Sequence, residues 1–316
     1  MQTLAELILH IGLVLLLAPL PGGLIRKIKA FSQKRQGPPL LQEYRDLRKL
    51  FRKDVVLSER ASWVFSAAPF VVFGSSVAAA ALVPLLPWAG GAEFPGDVFL
   101  VISLLALGRF FLALGGMDPG STFGGMGSSR EMMISALLEP AFLVFALALG
   151  LQAGAPSFGV ILRHAASLGT AVWHPSFLLL FFSLVLVLLG ETARIPVDDP
   201  STHLELTMVH EAMVLEYSGP LLALMEYGAA VKQLLFLTVL ANVFLPFGNA
   251  ALANVGLVGV ALGIPLTFAK VLAMAALAGV AEVCTVKLRL FSVPNLAAMA
   301  FIAAFLGFLN LLVFGG

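Results

Sequence analysis

Seven ionisable side chains crowd one short stretch: Glu191, Arg194, Asp198, Asp199, Glu205, Glu211 and Glu216, with His203 and His210 among them. Long apolar runs flank it on both sides. Carboxylates at the edge of such runs, or inside them, are expensive in a membrane and mark ion paths or proton relays. His203 and His210 are seven apart, on one face if the segment is helical. The zinc spacing His-Glu-x-x-His is absent, and the polar set suits a hydrogen-bonded proton relay better than a metal site.

Further charges fall inside the apolar runs: Arg109, Glu139, Glu191, Glu226, Lys232, Lys270 and Glu282. Each costs about 2.5–3.5 kcal/mol at a helix centre on insertion scales. Glu139 stands directly before Pro140. A proline there removes a backbone hydrogen bond and opens the helix locally. A desolvated glutamate at that point exchanges protons near neutral pH. The competing reading is a structural ion pair, with Lys232 or Lys270 as the cation. Glu226 and Lys232 are six apart, on different helix faces, so each needs a partner elsewhere. Glu282 lies near a helix end, where it could simply snorkel to the surface.

The elements that must position these groups follow from composition. The 316 residues are 59% hydrophobic and only 12% charged, against about 25% charged in soluble domains. The fold class is all-α, a polytopic membrane protein in one membrane domain over 1–316. About eight runs reach spanning length, roughly 4–24, 63–87, 98–116, 131–153, 175–191, 221–246, 252–280 and 293–314. They are continuous rather than alternating, so they are helices. The net charge of +1 suggests no nucleic-acid partner. The single cysteine, Cys284, cannot alone hold an iron–sulfur cluster or a structural zinc. The N-terminus lacks a basic n-region and reads as a retained first span.

Lysine and arginine fill the first loop, and Arg130, Arg194, Lys287 and Arg289 fall on the same side, against Arg163 opposite. The positive-inside rule puts loops at about 25–62, 116–130, 192–220 and 281–292 in the cytoplasm, with both termini outside an inner membrane. Within the first loop, 40–53 has the spacing of an amphipathic helix,. It is either a basic anchor on anionic lipid or the seal of an interface with a soluble subunit, involving Arg35, Gln42, Tyr44 and Asp46. The glycine-rich third loop, 115–130, suits tight turning and close backbone contact. No internal repeat is evident, which argues against an inverted-repeat transporter.

Glu191-Thr-Ala-Arg194-Ile-Pro196-Val-Asp198 resembles the Glu-Thr-x-Arg-x-Pro-x-Asp signature of the membrane subunit 1 family of respiratory complex I. Glu216-Tyr-Ser-Gly219 and Glu226-Tyr227 resemble its later motifs, and Arg130, Ile134 and Glu139 resemble its fourth-span pattern. The wording from Ile195 to Thr207 resembles the hydrogenase-4 and formate hydrogenlyase branch of energy-converting membrane [NiFe] hydrogenases. The first loop is shorter than in complex I members, and Ala193 stands where they have Asn.

The resemblance implies a non-catalytic coupling subunit of an oxidoreductase complex. It would hold no cofactor itself. The [NiFe] large and small subunits, iron–sulfur subunits and antiporter-like membrane subunits would be its partners, with lipid around it. Glu139, Glu191, Glu205, Glu211, Glu216 and Glu226 would form an acidic funnel, with Asp198, Asp199, His203, His210 and Lys232 along the same proton path. Arg130 and Arg194 would tune those acids by opposite charge. A quinone-binding subunit of a complex I-like dehydrogenase and a passive anchor with paired charges remain the alternatives.

Overall fold

The computed structural model describes residues 4–86, 95–172, 174–198, 208–249, 256–286, 288 and 292–314. The described elements are helices: α1 Leu4–Leu17, α2 Pro19–Ser32, α3 Gln42–Leu50, α4 Trp63–Leu82, α5 Asp97–Met117, α6 Thr122–Ala153, α7 Phe158–Leu168, α8 Pro175–Glu191, α9 His210–Val214, α10 Gly219–Phe244, α11 Gly256–Cys284 and α12 Val293–Phe314. A 3-10 turn, Gly169–Val172, follows α7. Among the described residues, seven helices are long and apolar enough to cross a membrane, with α1 and α2 counted as one. The chain is a multi-pass membrane protein.

Start and stop signals explain the boundaries. Ser62 caps α4 by accepting from the Val64 amide at 3.1 Å. Ser121 caps α6 by accepting from the Gly124 amide at 3.2 Å. Pro19, Pro175 and Pro220 sit in the first turns of α2, α8 and α10, where a missing N–H costs nothing. Gly154, with φ of 83°, ends α6 in the left-handed region.

The run 175–191 is a helix with the expected bounds, α8, of 17 residues, about 26 Å long. Four expectations change. The first span does not stop near 24. The helix runs on to Ser32, with a joint between α1 and α2 where Pro19 lacks a donor. The glycine-rich segment 115–130 is mostly helical, only 118–121 remaining outside α5 and α6. The amphipathic helix is shorter than 40–53, spanning Gln42–Leu50. Helix α7 lies in a stretch where no helix was expected.

The glycines do make the close contacts expected of them. A Cβ on Gly124 would strike the Gly116 carbonyl, and one on Gly127 would stand 2.8 Å from the Val209 carbonyl. Helices α5, α6 and α9 therefore meet backbone to backbone. Helix α4 packs on α5 and α10, α12 packs on α6 and α8, and α11 packs on α2 and α10. Aromatic contacts fill the bundle, among them Phe142 with Phe236 and Phe181 with Phe244.

The odd-numbered loops join into one face. The Ser62 amide and hydroxyl both donate to Asp118 at 2.6 Å. The Val56 amide donates to Ser218 Oγ at 2.8 Å. The Leu288 amide donates to the Pro196 carbonyl at 2.9 Å. On the opposite face, buried Asp97 accepts from Ser157 Oγ at 2.7 Å and from the Phe158 amide at 2.8 Å.

Candidate functional site

The segment after α8 begins with a helix stop. The Arg194 amide reaches the Leu189 carbonyl at 2.9 Å, and the Ala193 amide reaches Gly190 at 3.2 Å. This pair of bonds is a Schellman motif, with Ala193 in its left-handed position at φ of 47°,. The motif leaves Glu191 as the last helical residue, turned inward with its side chain 4% exposed. It then throws Arg194 off the helix axis. Ile195–Pro196 is a cis peptide.

Glu191 meets Arg109 of α5, a guanidinium only 5% exposed. The same guanidinium also bonds Glu139 of α6. Lys232 of α10 stands 3.8 Å from the other Glu191 oxygen. Four helices thus contribute one charge each to a single knot. Glu139 is its outer end, with the side chain 36% exposed on the bundle surface. The cation beside Glu139 is Arg109, not the expected Lys232 or Lys270. Lys270 instead donates to Asn249 at 2.6 Å.

A cavity of about 20 Å³ opens beside the knot, lined by Ser76, Arg109, His210 and Lys232 among others. That volume holds about one water molecule. Arg109 Nε and Glu191 Oε2 are buried without a hydrogen-bond partner. Unpaired buried polar atoms are rare in folded proteins, and these two mark the knot as polar and incompletely satisfied. Glu131, buried in α6, lies within electrostatic reach of Lys232, Glu191, Arg109 and Asp198. Sequence reasoning missed it. The available signal was its place eight residues before Glu139, on the same helical face.

Asp198 is 2% exposed and accepts from the amides of Val209 and His210, both at 3.1 Å. It caps α9 from a distance. Burial, and next the Lys232 charge, push the His210 imidazole down to about 4 against a smaller pull from Asp198. His210 is therefore neutral at physiological pH. Asp199, His203 and Glu205 lie outside the described residues.

Arg194 and Arg130 do not meet the knot acids. Arg194 donates to Glu282 and to Gln233, each at 2.8 Å, so Glu282 is a buried ion-pair partner and does not snorkel. Arg130 donates to the Met208 carbonyl at 2.8 Å. The cations beside the knot acids are instead Arg109 and Lys232, which the spans bring inward.

A second, shallower group surrounds Glu43 of α3. Glu43 pairs with Arg26 at 2.5 Å. Burial pushes its carboxyl up, and the Arg26 charge opposes this. Glu226 lies within reach of Glu211, Glu43 and Arg26. Glu216 is exposed and joins neither group. Of the expected interface residues, Arg35 is exposed, Gln42 donates to Asp46 at 2.8 Å, and the Tyr44 hydroxyl bonds the Leu16 carbonyl. Burial pushes the Tyr44 phenol up to about 12. Among the described residues, no three His, Cys, Asp or Glu side chains converge to hold a metal ion.

Residues 5–314 match the family described as NADH dehydrogenase. Hydrogenase-4 component C of Escherichia coli K12 is 35% identical over 281 residues, covering 85% of this chain and 84% of the relative. Formate hydrogenlyase subunit 4 of the same organism is 32% identical over 302 residues, covering 93% and 94%. NADH-ubiquinone oxidoreductase chain 1 of Mycosarcoma maydis is 28% identical over 230 residues, covering 68% and 66%. The fold matches a chain in the structure of the membrane-bound sulfane sulfur reductase, an archaeal respiratory membrane complex. The TM-score is 0.79 at 18% identity, over 96% of this chain and 98% of that one. From the family match and these relatives, the chain belongs to the NADH dehydrogenase family, of the complex I subunit 1 type.

Proposed function

We propose that this chain is the membrane anchor and ion-translocation coupling subunit of an energy-converting membrane-bound [NiFe] hydrogenase of the hydrogenase-4 or formate hydrogenlyase kind. In this reading it catalyses no redox step. The iron–sulfur clusters and the [NiFe] centre belong to partner subunits docked on the face of the odd-numbered loops, which is cytoplasmic, with both termini on the other side of the inner membrane. Antiporter-like subunits lie beside the exposed end of Glu139.

The observation that carries this reading is the shared guanidinium. Arg109 bonds Glu139 and Glu191 at once, with Lys232 3.8 Å from the latter. Two carboxylates that share one cation form a coupled pair, in which a change of charge at one is felt at the other. A change of charge at the loop face shifts the bond from one acid to the other. Glu139 then passes that change sideways. The incomplete hydrogen bonding and the one-water cavity at the knot support a hydrated, rearranging cluster.

The same ion pairs favour a second reading, a passive anchor whose charges are simply neutralised. Glu139→Gln and Glu191→Gln separate the two in inverted membrane vesicles. For the coupling reading, each variant assembles with its partners, and hydrogen evolution continues while proton uptake falls about tenfold or more, the low end of what removal of a positioned proton-transfer group costs. Unchanged proton uptake in an assembled complex leaves the passive anchor.

A further inference from the structure

Five cations line one shallow concavity on α3 and the turn after it: Arg45, Arg48, Lys49, Arg52 and Lys53. Their spacing of three and four residues is that of a single helical side. None pairs with an acid among the described ion pairs. The acids of the same helix are engaged elsewhere, Glu43 with Arg26 and Asp46 with Gln42. Crowded like charges repel, so a bound polyanion would stabilise the cluster.

The depth of the cluster identifies the anion's source. Helix α3 lies against the first spanning helix at Gly22 and Gly23, where a Cβ would strike Glu43 and the Leu40 carbonyl. That helix carries no Asp, Glu, Lys or Arg from Leu7 through Ile25 and is basic from Arg26, with Lys27 and Lys29 following. Such a change marks the passage from hydrocarbon to the phosphate layer. Exposed Leu41, Phe51, Val55 and Val56 flank the cations. Cations at headgroup depth beside apolar side chains match an amphiphile, whose phosphate meets the former and whose acyl chains meet the latter. Residues 45 to 50 rise about 7.5 Å along α3, and Arg52 and Lys53 extend the row into the turn beyond Leu50, more than a single phosphate bridges.

We propose that this side of α3 is a specific site for a phospholipid headgroup carrying two phosphates. The arginines clamp phosphate oxygens in pairs, and the lysines supply point charge. Held this way, the lipid fixes α3, and with it the Glu43–Arg26 pair, at the membrane edge. The site stands independently of the proton-coupling reading.

The test uses the full chain within its purified complex, reconstituted in phosphatidylcholine nanodiscs with a minor share of cardiolipin, which has two phosphates, or phosphatidylglycerol, which has one. Lipid retained after mild re-extraction is quantified by mass spectrometry. Cardiolipin is expected to be enriched over phosphatidylglycerol, and excess inorganic phosphate to leave it bound. The triple variant R48Q/K49Q/R52Q should bind cardiolipin roughly 100-fold more weakly, with three surface cations removed. R48K/R52K, which keeps every charge and the fold, should retain most of the binding but lose preference for two phosphates over one. Equal retention of both lipids by the wild type, displacement by inorganic phosphate, or cardiolipin retention by the triple variant equal to the wild type overturns the proposal. Loss of soluble subunits from the triple variant with lipid retention unchanged assigns the cations to a protein partner and equally overturns it.

Discussion

Residue chemistry at the site turns on who stands beside whom. Ala193 holds φ of 47° to end α8, a conformation that costs an L-residue roughly 1–2 kcal/mol and that glycine adopts freely. Ala193→Gly should therefore raise thermal stability, by up to about 1 kcal/mol once the extra freedom of the unfolded chain is counted. A melting point no higher than wild type would contradict this. His210 gives a pH dependence. Its imidazole is pushed down to about 4 from an ordinary 6.5. Between those values the unfolded chain binds the proton and the folded one does not, so the contribution is complete above 6.5 and fades as pH falls. Thermal unfolding at about pH 7.5 and about pH 5 should show a loss at the lower pH that shrinks in His210→Gln.

At the scale of elements, glycine sets how near the helices come. Gly124 starts α6 against the Gly116 carbonyl of α5. Gly124→Ala must push two backbones apart, since no flexible side chain can yield. The cost is about 1–3 kcal/mol, typical of overpacking. Because α5 and α6 carry Arg109 and Glu139, the shift also loosens the knot. Gly125, with open space at its Cβ position, provides the control. Gly125→Ala should match the wild type in thermal melting while Gly124→Ala falls.

Across the whole molecule, the odd-numbered loops are fastened to one another by Asp118, Ser218 and the Leu288–Pro196 bond. Charge bias predicts that this face is cytoplasmic. Cys284, exposed at the end of α11 on that side, is the natural reporter as the single cysteine of the chain. A membrane-impermeant maleimide should label it in inverted vesicles and leave it unlabelled in sealed right-side-out cells. The reverse pattern would turn the topology over.

The apolar runs alone determined that the chain is a helical, multi-pass membrane protein, because only intra-helical bonding satisfies a backbone in lipid. Expensive residues such as Glu139, Glu191 and Lys232 stood out for the same reason: a charge in oil is visible without knowing its partner. The partners were not visible. Arg109 lies 82 residues before Glu191, and no local spacing predicts which of several cations a folded bundle will bring to a given acid. Glu131 and Glu43 look like ordinary edge residues until α6 is extended through the glycine-rich segment and α3 folds back on Gly22. Helix lengths shifted at α2 and α6 because caps and backbone contacts, not hydropathy, fix where a helix starts and stops. Patterning selects the membrane and the helices, whereas charge pairing is a property of helices packed side by side and is decided only when they meet.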